Sequence, residues 1–260
     1  MLLQFNHLKS HPNLTHAITT VTVDGITPFN LADHVGPKTD DAIENRRRLC
    51  NRLNLPFDRL TVTEQVHRGQ VAAVDPTTAG AGCTGRIDSL SGFDGMVTHL
   101  RDTPLMTLSA DCPLVLLFDP TAETLSCVHA SWRSLADGII DHAITLMADK
   151  FGTNPKHLLA GVGPSAGPCC YEVQQDFCKQ IANVSNLSNF VIHSDGRMHF
   201  DLWHALSSAL VSAGVPKTNV EMMGICTLCD KRFFSYRREG EKAGRFAMVA
   251  AITSRTEAYL

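Results

Sequence analysis

The chain has 260 residues, a formal net charge of −3 and 44% hydrophobic residues, enough to build a substantial core. Its basic residues are scattered apart from Arg46-Arg47-Arg48 and Arg237-Arg238, so the electrostatic footprint of a general nucleic-acid binder is missing. No apolar run is long enough to span a bilayer, and Met1 to His7 lacks both a charged start and a sustained apolar stretch; a cytoplasmic protein with no membrane or nucleic-acid partner is expected.

In chain order, alternation over Ala17 to Val23 predicts a strand, and Asp24-Gly25 a turn. A helix is expected from an Asp40 or Asp41 N-cap, with Ile43, Leu49, Cys50 and Leu53 on its apolar stripe and Arg46-Arg47-Arg48 on a solvated face. Short strands follow over Leu60 to Glu64, Gln70 to Val74, Gly95 to His99, Leu105 to Ser109, Leu114 to Phe118 and Leu125 to His129. Between them, Thr77 to Gly85 reads as a mobile loop near the site, because its small residues cannot build a core.

A helix from near Asp137 carries Ile140, Ala143, Ile144, Met147 and Phe151 at core spacing, and Gly152 stops it. Leu158 to Val162 is a strand, Val173, Phe177 and Ile181 mark a helix, and another follows Asp201 up to Gly214. Val220 to Met223 and Phe246 to Ile252 close the chain as strands. With no linker or charge block dividing it, a single α/β domain over 1–260 is expected, with helices packed outside sheets.

Nine cysteines, an odd number without regular spacing, argue against a disulfide framework. Cys50, Cys127 and Cys178 fall in apolar patterns and read as small core residues. The Cys169-Cys170 pair and the Cys226-Thr227-Leu228-Cys229 segment are also read as structural, since no second C-x-x-C completes a four-thiolate site.

Chemistry is expected where polar groups interrupt strand ends: Glu64-Gln65-Val66-His67, Ala110-Asp111-Cys112-Pro113 and His129-Ala130-Ser131-Trp132-Arg133. If His67, Cys112 and His129 converge, they offer either a Cys–His nucleophile pair or a zinc site with an open fourth position. Two histidines favour the metal, since a nucleophile needs only one. The zinc deaminase signature, H-E-x-x-H, G-x-S-x-G, the P-loop and H-x-H are all absent from the sequence.

Gln65-Val66-His67, Asp94-Gly95-Met96-Val97-Thr98, Ser109-Ala110-Asp111-Cys112-Pro113, Val128 to Arg133, Gly163-Pro164 leading to Cys170-Tyr171-Glu172-Val173, and Cys226-Thr227 with Phe233 to Arg238 resemble the YfiH family, also called the laccase-domain or "polyphenol oxidase" family. The likeness runs in order from about Asn30 to Phe246. It implies sandwiched mixed β-sheets flanked by helices, distantly like hydrolases of the cytotoxic necrotizing factor type. It also implies a zinc site whose ligands map onto His67, Cys112 and His129. The family activity is phosphorolysis of adenosine, inosine, guanosine and methylthioadenosine, with adenosine deaminase activity alongside. Purine nucleoside and phosphate are then the partners, and the protein a monomer or homodimer.

Phosphorolysis needs phosphate charge held by arginines; Arg133, Arg237, Arg238 and Arg245 lie within or beside the matching motifs and are the candidates. Asp111 joins His67, Cys112 and His129 as a catalytic candidate, orienting a ligand histidine or taking a proton. Ser131, Ser134 and Arg68 stand where the family usually has glycine, and are expected to narrow the pocket. Two alternatives remain: a copper-dependent phenol oxidase, for which a mononuclear set lacks the further copper centres of oxygen reduction, and an amidohydrolase of peptidoglycan precursors using Cys112 as nucleophile.

Overall fold

Fifteen strands and six α-helices form among the residues that the computed structural model describes, namely 1–182, 184 and 187–254. In the first half these are β1 (Leu2–Leu3), β2 (Leu14–Thr19), α1 (Ala42–Leu53), β3 (Thr61–Glu64), β4 (Val71–Ala73), β5 (Leu90–Ser91), β6 (Gly95–Thr98), β7 (Leu105–Ser109), β8 (Leu114–Asp119) and β9 (Thr124–His129). Then come α2 (Trp132–Ala136), α3 (Ile139–Phe151), β10 (Leu159–Val162), β11 (Glu172–Val173) and α4 (Gln175–Ile181). The chain continues through β12 (Val191–Ser194), β13 (Arg197–Phe200), α5 (Leu202–Ser212), β14 (Val220–Met222), α6 (Tyr236–Glu239) and β15 (Phe246–Ile252).

Two mixed six-stranded sheets, ordered β1-β2-β15-β7-β3-β5 and β14-β10-β8-β9-β6-β4, stack face to face. The period-two alternation of strand side chains divides the core into layers. From β15, Phe246, Met248, Ala250 and Ile252 point between the sheets, where they meet Met96, Leu114, Leu116, Phe118 and Leu125. The alternate residues Ala247, Val249 and Ala251 face Leu49 and Cys50 of α1 on the outside. On the far side of the second sheet, Val115, Leu117 and Val128 pack on Ile140, Ala143, Ile144 and Met147 of α3 and on Leu202, Leu206 and Leu210 of α5. Strands buried on both faces explain why their sequences read as nearly unbroken apolar runs. The result is a single mixed α/β domain.

Departures from the sequence reading have local causes. The strand expected over Ala17 to Val23 is β2, which spans Leu14–Thr19, because Val23 turns back on itself through Asp24-Gly25 to bridge Ile26. The helix expected from near Asp137 is α3, stopped at Gly152 as expected; the short α2 before it is additional, separated from α3 by the left-handed backbone of Gly138 (φ 77°). Val173 belongs to β11, and only Phe177 and Ile181 lie on α4. A third sheet, β11-β13-β12, was not anticipated, although its hairpin turns on Asp195-Gly196, both with positive φ.

Arg46 is the larger correction. It is only 2% exposed, with Nε donating to the Leu31 carbonyl, Nη1 to the Gly82 carbonyl and Nη2 facing Asp33. The triplet is therefore split, with Arg47 and Arg48 on the solvated face beside Glu44. That same contact ties down the 77–85 segment, whose Ala81 carbonyl also accepts from the Val62 N–H of β3 and whose Gly80 N–H donates to the Thr61 hydroxyl.

Leu116 is wholly buried between the sheets. Leu116→Ala should cost about 2–5 kcal/mol of unfolding free energy through lost burial and a residual cavity. Urea denaturation at fixed metal concentration measures it; a loss below about 1 kcal/mol would mean the two sheets are not closely packed there.

Candidate metal centre and active site

Strand register brings three distant segments to one end of the sandwich. In the β8–β9 pair Leu114 lies opposite His129, so Cys112, two residues before Leu114, stands beside that histidine. Strand β3 runs parallel to β7, with Thr61 beside Leu105, so the segment leaving β3 at Glu64 emerges at the end where Ser109 leads to Cys112. The donor atoms of His67, Cys112 and His129 all lie within 4.8 Å of one another. The two imidazoles meet edge to face, their centroids 4.9 Å apart at 86°.

A fully buried carboxylate organises this cluster. Asp94 Oδ2 accepts from the backbone N–H groups of Val66 (3.0 Å) and Arg68 (2.8 Å). Oδ1 accepts from the N–H of His67 (3.0 Å) and lies 2.7 Å from His129 Nδ1. One side chain thus wraps the His67 turn and fixes the ring of His129, leaving Nε2 for the centre. Gln65 pins the same turn to β7 by exchanging bonds with Leu108, donating to its carbonyl (2.7 Å) and accepting from its N–H (2.8 Å). His67 adopts φ 60° and Asp111 φ 98°, conformations that cost non-glycine residues about 1–3 kcal/mol and persist only when surroundings impose them.

The electrostatics favour an ionised pair. Burial pushes the Cys112 thiol up, but the charge of His129, hydrogen bonds from His129 and His67, and the charge of His67 bring it down to about 6. Burial pulls His129 down, yet Cys112 and the bond to Asp94 raise it to about 9. Asp94 is held below the usual carboxylate range: burial opposes its charge, and the His129 contact and the amides of Arg68 and Val66 overcome that. Cys127, buried two residues before His129 without such partners, is pushed up by burial alone.

The cluster opens into a cavity of about 340 Å³, within the size range of small-molecule sites. Arg237 and Arg245 line it, as do Asp111 and Tyr171. Arg245 Nη1 donates to the carbonyls of Ala243 (2.7 Å) and Gly244 (3.0 Å); among the described residues, no acceptor partners its Nε or Nη2. Arg237 Nη1 donates to the Glu172 carbonyl, and its guanidinium stands 5.5 Å from the Tyr171 ring centre.

The other candidates lie elsewhere. Arg133 is outside the cavity lining, stacked on Trp132 at 4.4 Å. Arg238 is also outside it, donating to the carbonyls of Thr227, Leu228 and Phe233. Asp111 does not contact the histidines: its carboxylate accepts from the Thr227 hydroxyl (2.6 Å) and the Arg237 N–H (2.7 Å). Orientation of His129 falls instead to Asp94. Ser131 and Ser134 do not narrow the pocket, because they cap α2 against each other in the interior, and the Arg68 side chain points to Asp137. Arg86, Asp33 and His34, which lie outside the motifs, also line the cavity, as does Arg46, which was expected on a solvated face. Helical spacing does place Arg46 on the buried stripe, three residues after Ile43 and three before Leu49, but its charge and its neighbours Arg47 and Arg48 argued for a solvated face.

One thiolate and two imidazoles, converging with an open side, match the donor set of a catalytic zinc site, so these three residues fit a metal ion. The fold and site define a two-sheet α/β sandwich with a candidate metal centre at one end. Residues 15–253 match the family described as "Multi-copper polyphenol oxidoreductase laccase", and the chain belongs to that family. It is 32% identical over 233 residues to the "Purine nucleoside phosphorylase YlmD" of Geobacillus stearothermophilus, covering 88% of this chain and 84% of the relative. The crystal structure of YlmD from that organism superposes with a TM-score of 0.85 at 28% identity, covering 94% and 93% of the two chains. Bacillus licheniformis hypothetical protein YfiH superposes with a TM-score of 0.87 at 25% identity, covering 94% and 95%. "Adenosine deaminase RL5", from an unknown prokaryotic organism, is 30% identical over 230 residues, covering 86% and 87%.

Two outcomes follow from this geometry. Asp94→Asn should weaken metal binding about 10–100-fold in a competition assay with a chelator, by releasing the His129 ring; unchanged affinity would remove Asp94 from the centre. In metal-free protein, alkylation of Cys112 should rise through a midpoint near pH 6, because the thiol is protonated below and ionised above it. A midpoint near 9 would mean that the histidines do not stabilise the thiolate.

Proposed function

We propose that the protein is a zinc-dependent purine nucleoside phosphorylase that also deaminates adenosine, with adenosine, inosine, guanosine and methylthioadenosine as substrates and phosphate as co-substrate. The observation that carries this reading is the shared cavity: a His67–Cys112–His129 donor set and the partly unpartnered guanidinium of Arg245 face the same space. The names of the YlmD and RL5 relatives support the two activities.

In such a donor set the chemistry a zinc ion supplies is Lewis-acid polarisation and acidification of water. The chain's own residues do the rest. Asp94 holds His129 as a donor through Nε2 and keeps Nδ1 protonated. Arg237 and Arg245 hold the dianionic phosphate below the sugar, where its oxygen bonds to the anomeric carbon as the bond from that carbon to the purine nitrogen breaks. The electron pair leaves with the purine, which takes up a proton. Tyr171, raised above the usual phenol range chiefly by burial, remains a neutral wall and hydrogen-bond donor at working pH. Among the described residues no helix is long and apolar enough to cross a membrane. All nine cysteines are unpaired, which suits the reducing cytoplasm, where we place the protein acting as a monomer or homodimer.

The test incubates zinc-loaded protein with adenosine, with and without phosphate, and separates products by chromatography. Phosphate-dependent adenine and phosphate-independent inosine are expected, and both should disappear in Cys112→Ala. Arg245→Met should raise the phosphate KM about 10–100-fold, the worth of a charge-assisted pair, and depress adenine formation more than inosine formation. Absence of both products from the loaded protein would refute the reading.

A further inference from the structure

Away from the cavity centre, four cysteines from two distant segments meet. The Sγ atoms of Cys169, Cys170, Cys226 and Cys229 all lie within 4.8 Å of one another. Cys229 Sγ is 3.8 Å from Cys169 Sγ and 3.3 Å from Cys170 Sγ. The expectation that these residues are separate structural cysteines is corrected here: the adjacent pair supplies what a second C-x-x-C would. Strands β10 and β14 are parallel neighbours, so the chain leaves both at the same edge. Their pairing continues past the strand ends as a bridge between Ser165 and Cys226, with Ser165 N–H donating to Ile225 and Thr227 N–H to Ser165. A turn after Gly167 then carries Cys169-Cys170 back over Cys226-Thr227-Leu228-Cys229.

The packing explanation that serves Cys50 and Cys127 fails for this group. Cys169 and Cys229 are exposed, so they fill no core. A disulfide explanation fails too, since all four cysteines are free and the separations of 3.3 and 3.8 Å are far beyond a bonded S–S length of about 2.05 Å. Four ligands at about 2.3 Å from a tetrahedral centre would stand about 3.8 Å apart, the spacing this cluster approaches. One of the four sulfurs is hydrogen-bonded as a thiolate would be: the backbone N–H groups of Gly167, Leu228 and Cys229 point to Cys226 Sγ, the first at 3.3 Å, whereas burial pushes the Cys169 and Cys170 thiols up when no ion is bound. Gly167 has to be glycine there, because a Cβ would come within 2.8 Å of the Trp203 ring and 3.1 Å of Cys226 Cβ.

We infer that Cys169, Cys170, Cys226 and Cys229 form a structural zinc site, a closed tetrathiolate distinct from the His67–Cys112–His129 centre. Soft thiolates select zinc among abundant divalent metals, and four protein ligands leave no position for substrate. Binding releases the thiol protons and needs no oxidant. The site clasps two turns behind the cavity, of which the first contributes Ala166 and Tyr171 to its wall. Tyr171 follows Cys170 directly and lines that wall. Thr227, between the other two cysteines, donates its hydroxyl to Asp111, and its carbonyl accepts from Arg238. The ion would thereby steady Asp111, the strained residue that directly precedes Cys112, through the Thr227 hydroxyl that its carboxylate accepts beside the Arg237 N–H.

Zinc content, cobalt spectroscopy and native mass spectrometry test this without relying on catalysis. Wild-type protein purified from zinc-supplemented cells should carry about two zinc ions per chain by elemental analysis and native mass. Cys112→Ala, which disables the first centre, should retain about one, and its cobalt-substituted form should show the intense sulfur-to-cobalt charge-transfer bands of a tetrahedral tetrathiolate. Cys226→Ser/Cys229→Ser should lose about one zinc from wild type and retain the other. The cobalt spectrum leaves the four cysteines intact, so it decides the matter even if the serine variant does not fold. A Cys112→Ala protein that binds no zinc, binds iron in its place, or has these four sulfurs joined as disulfides by intact mass would overturn the assignment. Failure of the nucleoside assay with the second zinc present would refute the proposed activity and leave this site standing.

Discussion

The candidate centre depends on one buried carboxylate. Asp94 accepts from three successive backbone amides and contacts His129, so it fixes at once the turn that carries His67 and the tautomer of the opposing histidine. A charge taken out of water is tolerable only when nearly all its lone pairs are satisfied, and here they are. The arrangement is also economical in sequence: Asp94 sits immediately before β6, whose first residue, Gly95, pairs with Val128 beside His129. Sheet register therefore delivers the organising group, the ligand and the turn to one place.

The layered core makes that delivery rigid. Residues of β15 alternate between the inter-sheet core and the α1 face, and β8 alternates between the same core and α3. The site stands on strand ends embedded in this stack, with only short connections between β7, Cys112 and β8. Strain at His67 and Asp111 is concentrated where the chain must leave regular strand geometry to aim its side chains. The strain at Asp111 is held by Thr227 and Arg237, which couples the cavity to the four-cysteine turn behind it.

Much of this was legible in the residues. Apolar runs located β7, β8, β9 and β15, helical spacing located α1, α3 and α5, and polar interruptions at strand ends singled out His67, Cys112 and His129. What escaped was whatever depends on register between distant strands. Asp94 lies in a quoted motif, yet nothing local distinguishes a carboxylate that binds three amides from one on the surface. Arg46 looked solvated because its neighbours Arg47 and Arg48 are; its burial follows from where the 77–85 segment and Leu31 fold over α1. Cys169-Cys170 and Cys226–Cys229 appeared unrelated because only the parallel pairing of β10 with β14 makes them neighbours. The anion-binding reading narrowed for a similar reason, since Arg133 and Arg238 sit within the right motifs but turn toward Trp132 and toward backbone carbonyls.

The most direct test of the central claim is an anomalous-diffraction map at the zinc edge from crystals of zinc-loaded protein grown with adenosine. The account predicts a peak bonded to His67, Cys112 and His129, with His129 binding through Nε2 while Nδ1 stays on Asp94, and with the purine nucleoside in the adjoining cavity. A peak elsewhere with these three residues unligated, or ligation of His129 through Nδ1 with Asp94 displaced, would contradict it.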